Sequence, residues 1–157
     1  MKEQKKQETY KLLLKQIEIL IKGETNTVGV LANVSSALHY TFDMFFWTGF
    51  YLREGDMLHL GPFQGTVACY TIPVGKGVCG TACKEASTIV VPDVEQFEGH
   101  IACSSQSRSE IVVPLFDGNK QVVCVLDIDS TEPAAFDDID REWLEKIAET
   151  VALSLYR

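Results

Sequence analysis

No run of apolar residues in this 157-residue chain approaches the length a bilayer demands. A membrane-spanning helix is therefore not expected. Positive charge is scarce: 14 Lys and Arg stand against 22 Asp and Glu, a net charge of −8 at pH 7. That balance argues against nucleic-acid backbones and anionic membrane surfaces as partners. The five cysteines include no CxxC pair, and there are only three histidines. Zinc sites are usually built from two paired knuckles, so no metal is expected. Cys79 and Cys83 form a lone CxxxC, and nothing pairs His59 or His100 with them. Internal repeats, linkers and low-complexity segments are also missing. The basic N-terminus is interrupted by Lys15, Gln16 and Glu18 and has no small-residue cleavage site. It reads as no secretory leader, which predicts a cytoplasmic protein with reduced thiols at rest.

What remains is ordinary for a globular protein: 46% hydrophobic and 23% charged residues. The length predicts a single domain over 1–157. Residues 5–22 and 26–40 show helical spacing, the first through Leu13, Ile17 and Leu20, the second capped by Asn26 or Thr27. Aromatic-rich 44–52 reads as a strand, with a hairpin turn at Glu54-Gly55-Asp56. A second strand, 57–60, is expected to stop at Gly61-Pro62, and a third, 67–72, carries Cys69. A short helix follows at 77–85, then a strand at 88–91. Residues 92–108 show no periodicity, as a lid or binding loop would. Two apolar strands, 110–116 and 121–128, flank the turn signal Asp117-Gly118-Asn119-Lys120. Asp137 caps a last helix. Hairpin joins imply an α+β fold, an antiparallel sheet with helices packed on it.

The chemistry-bearing residues concentrate in 75–130, which holds four of the five cysteines. A reactive thiol needs partial exposure and neighbours that favour the thiolate. Cys103, inside the long loop beside Ser104 and Ser105, suits that best. Asp127 and Asp129 alternate with Leu126 and Ile128, so both carboxylates share one strand face. Glu110 opens a neighbouring apolar strand. If these groups are buried, mutual repulsion and desolvation raise their pKa values and make them proton donors. The alternatives are scattered core thiols and aspartates on the solvated face of an edge strand. Trp47 and Tyr51 read either as core or as pocket aromatics.

Five segments, WTGFYL (47–52), LGPFQG (60–65), ACYTIPVGKGVCGTA (68–82), VPDVEQFEGHIACSSQSRSEIVVPL (91–115) and VLDIDS (125–130), together resemble the free methionine-(R)-sulfoxide reductases, which are GAF-fold enzymes. The resemblance implies a six-stranded antiparallel sheet with N- and C-terminal helices packed on it, commonly in a homodimer. It implies reduction of free methionine (R)-sulfoxide, with thioredoxin as reductant and no cofactor. Cys103 matches the family's nucleophile, Cys69 its usual disulfide partner, and Cys79 an alternative resolver in some members. Glu110, Asp127 and Asp129 match substrate-binding and catalytic carboxylates, and Trp47 and Tyr51 match pocket aromatics. The chain departs from the family pattern at Phe46, Cys83 and Cys124. Two other functions compete: a ligand-binding GAF sensor, and a thiol redox switch that consumes peroxide through Cys103.

Overall fold

The computed structural model describes residues 2–103 and 105–157. The hydrogen-bonding role expected of Ser104 lies outside them. Helices α1 (Lys2–Ile21) and α2 (Thr27–Thr41) open the chain. The Asn26 side chain caps α2 by accepting from the Gly29 N–H. Strands β1 (Trp47–Glu54), β2 (Met57–Gln64) and β3 (Thr71–Pro73) follow, then α3 (Gly77–Glu85) and β4 (Ile89–Val91). Strands β5 (Ser109–Phe116) and β6 (Val122–Ser130) form the second hairpin, and α4 (Asp138–Leu155) closes the fold. Asp137 caps α4 in a capping box with Asp140. No helix among the described residues is long and apolar enough to cross a membrane.

All six strands form one sheet in the order β3-β2-β1-β6-β5-β4, every pairing antiparallel. Strand alternation divides its side chains between two layers. Phe50, Ile111, Val113, Leu126 and Ile128 pack with Leu13, Leu31, Leu38, Leu144 and Ile147 of α1, α2 and α4. The other face carries Trp47, Tyr51, Val112 and Val125, covered by Val78, Cys79, Ala82 and Cys83 of α3. The sheet thus separates a helical core from a thinner layer in which polar groups gather.

Two expected strand boundaries are corrected. Gly61-Pro62 does not end β2, because both residues lie opposite Phe50 in a bulge between the Gly49↔Phe63 and Tyr51↔Leu60 pairs. A bulge accepts a residue that cannot donate to the ladder. The third strand is short, starting at Thr71 rather than Val67, so Cys69 lies outside it. Side chains of β1 claim the preceding backbone: the Trp47 indole N–H donates to the Thr66 carbonyl and the Tyr51 hydroxyl to the Cys69 carbonyl. Residues 92–103 and 105–108 form the expected irregular loop apart from a 3-10 turn at Val94–Gln96. Its ends are tied down by the Val94 N–H to the Arg108 carbonyl and the Arg108 N–H to the Ser130 carbonyl.

Candidate active site

Register builds the acidic centre. Glu110 on β5 lies opposite Asp129 on β6, which lies opposite Trp47 on β1. One pair along, Val112, Asp127 and Gly49 form the next row. Both aspartates and the glutamate therefore project from the same face of the sheet. They do not occupy an edge, since β6 is flanked by β1 and β5. Glu110 and Asp127 are buried, at 5% and 6% exposure. Among the described residues the Asp127 Oδ1 atom has no hydrogen-bond partner.

Three carboxyl groups crowded at one cavity cannot all ionise. Burial first, then the neighbouring Asp129 charge, pushes Glu110 up to about 8. Burial, then Glu110, holds Asp127 well above the usual carboxylate range; burial, then Asp127, does the same for Asp129. The three groups perturb one another, so the protons belong to the cluster. The centre is an acid store at neutral pH.

The aromatic wall depends on glycine. A Cβ on Gly49 would lie 2.3 Å from Phe63 Cβ and 2.8 Å from the Trp47 ring. Its absence lets the indole lie flat along β1, stacked on Phe63 at 5.1 Å and Tyr51 at 6.0 Å between ring centroids. Burial, followed by the charges of Asp127 and Cys79, raises the Tyr51 hydroxyl far above its ordinary value. It stays a neutral donor.

The thiols meet the carboxyls at a cavity of about 40 Å³. Cys103 joins Cys69 in a disulfide, with Cα atoms 5.5 Å apart and 34 residues between them in sequence. Trp47, Cys79, Cys103, Glu110, Asp127 and Asp129 all border this cavity. Cys79 enters from the first turn of α3, whose close seating needs Gly80: a Cβ there would lie 2.4 Å from the Pro73 carbonyl. Burial, then Asp127, pushes the Cys79 thiol well up. Cys79, Glu110 and Asp127 place ligand atoms within 4.8 Å of one another. A metal would need all three deprotonated, whereas burial favours their protonated forms, and no ligands are assigned.

The remaining candidates sit elsewhere. Cys83 is buried in the α3 layer, outside the cavity lining. Cys124 lies on the opposite face of the sheet, in the helical core. Phe46 is half-buried against the aromatic wall, and its N–H donates to the Asp129 carbonyl. His59 is half-exposed on β2 beside Glu54. His100, read from sequence only as a possible metal partner, borders the cavity with Nε2 3.7 Å from Glu110 Oε1. Its place three residues before Cys103 was the available signal.

A GAF domain family model matches residues 24–155. GAF domain-containing protein A of Dictyostelium discoideum is 53% identical over 90% of this chain and 89% of its own. The free methionine-R-sulfoxide reductase of Escherichia coli (strain K12) is 47% identical over 90% and 86% of the two chains. The solved free methionine-R-sulfoxide reductase of Neisseria meningitidis, in complex with its substrate, superposes with a TM-score of 0.89. It is 46% identical, with 92% of this chain and 87% of that one covered.

Proposed function

The chain belongs to the free methionine-R-sulfoxide reductases of the GAF-domain family, and we propose that it reduces free L-methionine (R)-sulfoxide to L-methionine through Cys103. One observation carries this reading: the Cys69–Cys103 disulfide borders the same cavity as a store of carboxyl protons.

The chemistry needs both parts. The Cys103 thiolate attacks the sulfoxide sulfur. Oxide is a poor leaving group, so the oxygen must gain a proton as its bond to sulfur breaks. Glu110 with Asp129 supplies it. Methionine departs, reduced by two electrons, and Cys103 becomes a sulfenic acid. The Cys69 thiol condenses with it, releasing water and leaving the disulfide. Thioredoxin then reduces that bond by exchange. Cys69, already bonded to Cys103, is the main resolving thiol in this reading. Cys79 stays a protonated neighbour.

Selectivity follows from the same groups. The unpartnered Asp127 Oδ1 is a ready acceptor for a free ammonium. A cation there favours ionised Asp127 and leaves the remaining protons with Glu110 and Asp129. The flat Trp47 face packs on the S-methyl group, with Tyr51 beside it. A methionine sulfoxide within a polypeptide offers no ammonium. We take residues 1–157 as one domain, active in the cytoplasm as a homodimer.

The test is NADPH consumption with thioredoxin and thioredoxin reductase on free L-methionine (R)-sulfoxide, its (S) epimer and a peptide-bound (R)-sulfoxide. Turnover of the free (R) form alone supports the reading. No turnover by the reduced protein would overturn it in favour of a ligand sensor. Peroxide consumption that survives Glu110→Ala, without sulfoxide turnover, would favour a thiol switch.

A further inference from the structure

Building on the reductase reading, we propose that His100 is the positioning residue that holds Glu110 and passes it the proton released by Cys103. The balance of the reaction calls for such a carrier. In the first step the sulfoxide S–O bond breaks and an O–S bond to Cys103 forms. The sulfoxide sulfur is reduced by two electrons and the Cys103 sulfur is oxidised by two. No proton is gained or lost overall: the one that leaves the Cys103 thiol ends on the sulfenic oxygen. Glu110 donates to that oxygen, so a proton must travel from Cys103 back to Glu110 before the next turnover.

His100 is placed for this transfer. It lies on the same loop as Cys103, three residues earlier, and both side chains border the cavity. Its Nε2 stands 3.7 Å from Glu110 Oε1, a gap that a small movement on substrate binding closes to hydrogen-bond range. Its side chain is 16% exposed against 7% for Glu110, so it links the buried acid to the outside. The titratable groups that line the same cavity are Glu110 on β5, Asp127 and Asp129 on β6, Cys79 on α3, Tyr51 on β1 and Cys103 on its own loop. Burial lowers the His100 pKa, so at neutral pH one ring nitrogen accepts while the other donates.

The experiment is single-turnover reduction of free L-methionine (R)-sulfoxide by pre-reduced protein, with methionine quantified against time. His100→Ala is expected to slow this step on the order of a hundredfold while the substrate concentration for half-maximal rate changes less than about twofold. Added imidazole should restore a large part of the rate in His100→Ala and leave the wild type unchanged. His100→Gln, which keeps a hydrogen bond but cannot pass a proton, should be as slow as His100→Ala. Wild-type rates in His100→Ala would overturn the proposal. So would full recovery in His100→Gln, which would reduce His100 to a packing role, or a slow His100→Ala that imidazole does not help. A wild type that forms no methionine would instead remove the reductase reading itself.

Discussion

Individual side chains divide the proposed chemistry cleanly enough to be separated by substitution. Cys103→Ser should abolish methionine formation altogether. Cys69→Ser should still release about one methionine per protein and then stop, because the sulfenic acid has lost its partner; a methionine burst assay distinguishes the two. Glu110 makes a second prediction. Its carboxyl is raised from 4.5 to about 8 by burial and by Asp129, so the folded protein holds that proton more tightly than the unfolded chain. The wild type therefore loses stability as pH rises through that window, and the loss is complete above about 8. Glu110→Gln removes this contribution. Its stability relative to wild type should grow between pH 4.5 and 8, by up to about 1.4 kcal/mol per unit, and then level off. Thermal unfolding across that range checks the sign. Turnover by Glu110→Gln should fall by roughly 10².

Elements convert these side chains into a site. Strand β6 serves two layers at once: Leu126 and Ile128 fill the helical core while Asp127 and Asp129 face the cavity. Strand β1 supplies the aromatic wall only because Gly49 leaves space for it. Gly49→Ala should displace Trp47 or Phe63 and raise KM for the free sulfoxide at least tenfold, with unfolding still cooperative. The loop between β4 and β5 carries Cys103 and is tied across the site by the disulfide. The disulfide-bonded cavity is small, about 40 Å³. Reducing the Cys69–Cys103 bond should release the loop. Amide hydrogen exchange over residues 97–108 is expected to speed up at least tenfold in the reduced protein, while β5 and β6 stay protected. Equal exchange in both states would mean that the substrate enters another way.

The whole molecule is closed by contacts far from the chemistry. Lys6 on α1 pairs with Asp137 at 3.1 Å and with fully buried Asp140, which also accepts from the Tyr10 hydroxyl at 2.5 Å. This joins the first helix to the cap of the last. Lys6→Met strands a buried carboxylate and should cost about 3 kcal/mol, or roughly 10 °C in Tm, with sulfoxide turnover unchanged at low temperature.

Much of this was legible in the sequence because it depends on local periodicity. Helical spacing placed α2 and α4, with Asn26 or Thr27 and Asp137 offered as their caps. The Asp117–Lys120 turn placed the second hairpin, and strict alternation put Asp127 and Asp129 on one face. The five quoted motifs pointed to the family. Tertiary structure decided the rest, because it turns on neighbours distant along the chain. Only the strand order makes β6 central, and so turns two aspartates that an edge strand would have left in solvent into enclosed acids. Only the bulge opposite Phe50 explains why β2 runs through Gly61-Pro62, and only the Trp47 and Tyr51 hydrogen bonds to the Thr66 and Cys69 carbonyls explain why Cys69 lies off the sheet. The pairing of Cys69 with Cys103 and the approach of His100 to Glu110 are distances in space. Composition and spacing carry residue types and faces, whereas burial, proton affinity and reach exist only once the sheet has brought those faces together.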